Sequence, residues 1–197
     1  MNLSKIQDYF YPYRVLDIGA NIGQFHQMAQ NAFPGSYIFS IEASKECESY
    51  LEQITDQYLI AMLAKDNSEY DFYSIKNNPI NTGNSIYREL TSYYSDDQIE
   101  IIKQKGIKLD DLFTEDTEFD LIKIDTQGSE LDIIMGGVNL CKKAKGILLE
   151  VSLTQYNENA PLHNEVIKFM DDFGFEVGKI LDENFTVNQQ DILFIKK

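Results

Sequence analysis

Basic side chains are scarce in this chain: 17 Lys and Arg stand against 32 Asp and Glu, a net charge of −15. A surface so acidic repels a phosphate backbone, so a nucleic-acid partner is not expected. Cysteine is nearly absent. Cys47 and Cys141 lie far apart and unpatterned, which argues against a disulfide framework and for reduced thiols in a cytosolic protein. Only His26 and His163 carry imidazole, and no dense spacing of His, Cys or carboxylates marks a metal site, so metal-independent chemistry is expected. No apolar run reaches the length of a membrane span. Met1-Asn2-Leu3-Ser4-Lys5 opens without the apolar core of a secretory signal, and a cytoplasmic location is expected.

What is present is a chain of 197 residues with 43% hydrophobic content, enough for one domain with a sizeable core and no linker or repeat to divide it. Short apolar runs alternate with helical patterns, the signature of parallel βαβ units. Strands are expected at Arg14 to Ile18, Ser36 to Ile41, Tyr58 to Leu63, Phe119 to Ile124 and Gly146 to Val151. The first helix carries Phe25, Met28, Ala29, Ala32 and Phe33 and stops at Pro34-Gly35, and a second is expected from Ser44 to Ile54. Another, holding Leu131, Ile134 and Met135, ends at Gly136-Gly137, which reads as a left-handed cap. A helix from Pro161 to Gly174 shows one apolar face of Leu162, Val166, Phe169, Met170 and Phe173. Phe175 to Ile180 and Ile192 to Ile195 are close enough for a hairpin, so the last strand should run antiparallel. Residues 1–12 read as an N-terminal extension. Glu69 to Ile75 reads as an extra strand, and residues 76–98, rich in Asn, Ser and Tyr, as an irregular insert suited to an acceptor lid.

The most informative segment is Val15-Leu16-Asp17-Ile18-Gly19-Ala20-Asn21-Ile22-Gly23. A strand ends in an acid and a glycine turn, and a helix begins at once, which is how an α/β sheet presents a nucleotide-like ligand to a helix N-terminus. A dinucleotide fingerprint needs glycines at 19, 21 and 24; Asn21 and Gln24 stand at two of those places, so a nicotinamide oxidoreductase is the weaker alternative. An acid followed by Gly-x-Asn-x-Gly suits a ligand with a positive end, such as S-adenosylmethionine. Ligands bind beyond the carboxyl ends of the strands, where Asp17, Glu42, Lys65-Asp66, Asp125 and Glu150 are expected to gather. Glu42, 25 residues after Asp17, is placed to accept bonds from two ribose hydroxyls.

Three segments carry a resemblance: the Asp17 turn, Ile107-Lys108-Leu109-Asp110-Asp111-Leu112-Phe113, and Leu121-Ile122-Lys123-Ile124-Asp125-Thr126-Gln127-Gly128-Ser129-Glu130. Together they resemble the FkbM-type methyltransferases. That resemblance implies a Rossmann-like class I α/β sheet of seven mostly parallel strands with a reversed last strand and helices on both faces. It implies S-adenosylmethionine as donor and transfer to a hydroxyl of a sugar, glycan or small metabolite. Mapped onto this chain, Gly19, Asn21 and Gly23 hold the methionine end and Asp17 receives its ammonium. Glu42 takes the ribose, Ala64 and Lys65 lie near the adenine, and Asn84 and Ser85 close over the donor. Asp125 is the first candidate for base or acceptor anchor and Glu150 the second; both also read as buried structural acids. Gln127 stands where many relatives carry Glu, which argues against a base at that position. His163, opening the Pro161 helix, is within reach of the acceptor or is a surface cap, and His26 reads as a helix-surface residue. The Tyr9, Phe10, Tyr11 and Tyr13 cluster and Tyr87, Tyr93 and Tyr94 suit a sugar ring, core packing or a homo-oligomer contact. A non-catalytic cofactor-binding subunit is the remaining alternative.

Overall fold

The computed structural model describes residues 1–78, 80–184 and 188–197. In chain order the strands are β1 (Arg14–Ile18), β2 (Tyr37–Glu42), β3 (Tyr58–Ile60), β4 (Glu69–Ile75), β5 (Ile99–Lys105), β6 (Leu121–Ile124), β7 (Gly146–Ser152), β8 (Phe175–Asn184) and β9 (Gln189–Lys196). The helices are α1 (Gln24–Ala32), α2 (Glu48–Leu51), α3 (Glu130–Gly136), α4 (Val138–Cys141) and α5 (His163–Phe173). Seven strands form one sheet in the order β3-β2-β1-β6-β7-β9-β8, in which β9 runs antiparallel to both β7 and β8. The order reverses between β1 and β6, and a crevice opens where two neighbouring strands send their chains in opposite directions. The expected mostly parallel sheet with a reversed last strand is therefore the observed one. Among the described residues no helix is long and apolar enough to cross a membrane.

Strand alternation sorts side chains onto two apolar layers. Leu16, Ile18, Ile122, Ile124, Ile147 and Leu149 face Leu131 and Ile134 of α3 and Val166 and Met170 of α5. Val15, Leu121, Leu148 and Leu193 face the other way, against Phe25, Ala29 and Phe33 around α1 and Leu3 and Ile6 of the N-terminal segment. Tyr11 completes that second layer, its ring 4.8 Å from Tyr13 and 6.1 Å from Phe33. Phe10 and Tyr11 of the early aromatic cluster thus pack against the core, whereas Tyr9 and Tyr13 are exposed.

Four expectations need correction. Strand β5 lies where none was read, because Glu100, Lys103, Gln104 and Lys105 leave it mostly exposed and Ile101 faces solvent; it pairs with β4 as a separate antiparallel ribbon. Strand β3 stops at Ile60, three residues early. The helix read over 44–54 shrinks to a 3-10 turn at Lys45–Cys47 and the single turn of α2. The Gly136-Gly137 pair forms no left-handed cap, since Gly137 has φ −130°. It permits close packing instead: a Cβ on Gly136 would lie 2.2 Å from the Ala64 carbonyl oxygen, and one on Gly137 2.7 Å from Leu109.

Ile122, fully buried at the centre of the sheet, tests this layering. Ile122→Ala should cost about 2–5 kcal/mol, read as a lower urea midpoint at unchanged slope. A loss under about 1 kcal/mol would show that this layer is not the core.

Candidate active site

A cavity of about 750 Å³ opens over the carboxyl ends of β1, β2, β6 and β7. Its floor at β1 is the glycine turn. Gly19 has φ +75°, and a Cβ there would sit 1.9 Å from the Asp125 carbonyl oxygen, so only glycine lets β1 and β6 approach so closely. The Gly19 and Ala20 N–H groups donate to the Ile41 carbonyl at 2.9 and 3.1 Å, which ties the turn to β2. Asn21 follows at φ 47°, a left-handed position that Asn tolerates. Its N–H donates to Glu42 Oε2 at 2.7 Å, and its side-chain amide donates to the Ile80 carbonyl of the insert at 3.0 Å.

Glu42 ends β2 and lines the cavity. Its second oxygen accepts the Ser44 N–H at 2.8 Å. Burial pushes its carboxyl pKa up, and the two backbone N–H groups pull against that shift. From the insert, the Ser85 hydroxyl lies 2.9 and 3.0 Å from the Thr126 and Gln127 carbonyl oxygens and holds the insert against the loop after β6.

The opposite wall is acidic. Asp125, one third exposed, lies 3.6 Å from the Lys123 ammonium. Gln127, a left-handed residue at φ 55°, donates through its amide to Asp125 Oδ1 at 3.2 Å and to Glu150 Oε2 at 2.5 Å. Gln189 reaches the same Glu150 oxygen at 2.9 Å. Burial, reinforced by the charges of Asp125, Glu130 and Asp191, holds Glu150 well above the usual carboxylate range. Burial likewise raises Asp191, which lines the cavity from β9, to about 7, with Asp125 adding to the shift. Glu130 is also raised to about 7 by burial, although its carboxylate accepts the Thr126 and Gly128 N–H groups.

Gly19, Asn21, Glu42, Ser85, Asp125 and Glu150 thus line one cavity, as do Asn84 and Tyr93. Five other candidates do not. Asp17 is wholly buried beneath the turn, and its carboxylate faces Lys123 Nζ at 3.2 Å, so it is not free to receive a ligand's ammonium. Gly23 starts α1, and a Cβ there would lie 2.5 Å from Ile54; its role is packing. Ala64 is buried with its N–H on the Ile107 carbonyl, and Lys65 points to Asp132 at 3.9 Å. Because β3 ends early, Ala61, Met62 and Leu63 occupy the wall expected of that pair. His163 pairs with Asn164 outside the cavity, where Glu165 caps the Leu162 N–H and starts α5.

One further residue was misread and one was missed. His26 is buried, its ring within 2.9 Å of Ser40 Oγ and 3.1 Å of Gln30, and burial lowers its pKa against the pull of Asp17. Lys123, given no role from sequence, reaches the cavity with its ammonium 3.0 Å from the Gly19 carbonyl oxygen. The signal for it was a lysine inside the apolar run Leu121-Ile122-Lys123-Ile124. Among the described residues no group of three or more His, Cys, Asp or Glu side chains is arranged to hold a metal ion.

A family model described as "Methyltransferase FkbM domain" matches residues 17–177. The chain belongs to the FkbM methyltransferase family. That assignment sets aside the nicotinamide oxidoreductase alternative. Among solved structures the chain is similar to methyltransferase FkbM from Methylobacillus flagellatus KT, with TM-score 0.58 and 13% identity over 93% of this chain, and it spans 43% of that protein. It is also similar to a TehB-like SAM-dependent methyltransferase from Corynebacterium glutamicum, with TM-score 0.53 and 10% identity over 98% of this chain and 86% of that one. Magnesium protoporphyrin IX methyltransferase from Synechocystis PCC 6803, solved with bound SAM, aligns at TM-score 0.50 and 14% identity over 98% of this chain and 74% of that one. These likenesses give the class I methyltransferase fold. No curated protein matches the chain.

The raised acids set a pH dependence. Carboxyls that titrate near 4 when unfolded and near 7 when folded hold protons in the native state that the unfolded chain has lost. Their destabilising effect is absent below about pH 4 and complete once pH passes about 7, so stability should fall as pH rises from 5 to 7.5. Asp191→Asn should flatten that fall in urea titrations across this range; an unchanged slope would show that Asp191 does not titrate there.

Proposed function

We propose that this FkbM-family domain moves the methyl group of S-adenosylmethionine to a hydroxyl of a sugar, glycan or small hydroxylated metabolite. One observation carries the donor half of this reading. Glu42 is buried at the cavity edge with each carboxylate oxygen fixed by a backbone N–H, a rigid charged acceptor for two vicinal ribose hydroxyls. The residues fit such a donor. Gly19 lets the turn close against the loop after β6, where a Cβ would meet the Asp125 carbonyl oxygen, and the Ala61-Met62-Leu63 wall offers an apolar face for a purine. When bound, the donor supplies a methyl group already activated on a sulfonium. The protein's task is then to align an acceptor oxygen with that methyl, worth about 7–11 kcal/mol when the geometry is good, and to take the hydroxyl proton.

Asp125 and Glu150 are the groups for that second task. Gln127 donates to both, which ties the two carboxylates together at the cavity wall. Burial and the charges of its acidic neighbours raise the Glu150 carboxyl, the direction that strengthens a carboxylate as a proton acceptor. Asp125, more exposed, orients the acceptor. Residues 80–98, docked through Ser85 and Ile80, form the lid over the acceptor side, and Tyr93 presents a ring there suited to a sugar face.

Glu42→Ala should weaken donor binding at least tenfold, about 1.4 kcal/mol, by calorimetry; unchanged affinity removes Glu42 from the donor site. With isotopically labelled donor and a cell extract as acceptor pool, Asp125→Asn should lower methyl incorporation at least tenfold while donor affinity holds. Full incorporation by that variant would remove Asp125 from the reaction.

A further inference from the structure

We propose that Lys123 is a positioning residue: its buried ammonium locks the donor turn and the Asp125 carboxylate into one fixed arrangement. The inference rests on the donor reading above. The ammonium donates to the Gly19 carbonyl oxygen at 3.0 Å and stands within ion-pair distance of two carboxylates, Asp17 Oδ1 at 3.2 Å and Asp125 Oδ2 at 3.6 Å. The Phe25 ring covers it from 5.3 Å. A lysine needed only to neutralise Asp17 would have no reason to reach past it. Asp17 is wholly enclosed and outside the cavity, whereas Lys123 lines it.

Each contact fixes a different part of the site. The Gly19 peptide is gripped from one side by the Ile41 carbonyl, through its own N–H and that of Ala20. Lys123 grips the carbonyl on the other side, so the turn cannot flip. Asp125 has its two oxygens divided between Lys123 and Gln127, which sets the plane of the carboxylate. Sheet register enforces the geometry, because Lys123 stands directly beside Asp17 on the neighbouring strand. A single side chain thereby joins the half of the cavity assigned to the donor with the half assigned to the acceptor.

The test compares Asp17→Asn with the double variant Asp17→Asn/Lys123→Met. The double variant leaves no unpaired buried charge at the Asp17–Lys123 pair, and the two proteins differ only in the ammonium. Calorimetry with S-adenosylmethionine gives donor affinity. The ¹³C resonance of the Gly19 carbonyl reports the ammonium contact, and thermal melts report folding. Wild type and Asp17→Asn should bind donor within a few-fold of each other. The double variant should stay folded, show a shifted Gly19 resonance and bind at least tenfold more weakly. Equal donor affinity in the two variants, when wild type binds, overturns the role of Lys123 while leaving the donor reading intact. A double variant that fails to fold when Asp17→Asn folds assigns Lys123 to stability alone and overturns it as well. A wild-type chain that binds no donor overturns the underlying functional reading, and the positioning role with it.

Discussion

A row of three polar side chains crosses an otherwise apolar face of the sheet: Ser40 on β2, Asp17 on β1 and Lys123 on β6 stand side by side in register. Alternation puts all three on the face covered by α1, among Val15, Ile38 and Leu121. A buried ion pair seldom adds net stability, because desolvating both charges offsets their attraction, yet removing one partner costs about 3–5 kcal/mol. That asymmetry makes the pair a register lock. Sliding β6 by one residue would turn Lys123 to the opposite face and strand Asp17 in the core without a counter-charge. The lock decides where β1 and β6 end relative to each other, and therefore that Asp125 and Gly19 meet.

Much of this was legible in the sequence, and the exceptions have physical causes. The 3.6 periodicity located α1 and α5 because each buries one face, alternation located β4, and β1 was legible as an apolar run because the sheet buries it on both faces. Strand β5 was invisible because it buries almost nothing and is held by its pairing with β4. Glu42, Asp125 and Glu150 were found because strand ends converge in this topology whatever the loop sequence. Ala64 and Lys65 were misplaced because they were located by counting from the end of β3, and strand ends are the least determined feature of a pattern. Asp17 was assigned outward, as a free acid beside a glycine turn. Only the cross-strand neighbour, more than a hundred residues away in sequence, shows that its charge is already engaged.

Topology also explains the chemistry of the acidic wall. In an all-parallel sheet only strand ends would face the cavity. Because β9 runs the other way, its beginning arrives at that edge, and the pairings Ser152↔Gln189 and Glu150↔Asp191 deliver an amide and a further acid beside Glu150. Burial is the first reason that Glu150 and Asp191 hold their protons to higher pH, and the nearby charge of Asp125 adds to it for both. Gln127 fits this setting because an amide can donate to two carboxylates at once, as an ionised acid could not. With Gln189, Glu150 has amide donors from β9 and from the loop after β6 that keep it in place without neutralising it. Its orientation and its basicity therefore have separate origins, the first in neutral hydrogen bonds and the second in burial, to which the charges of Asp125, Glu130 and Asp191 add.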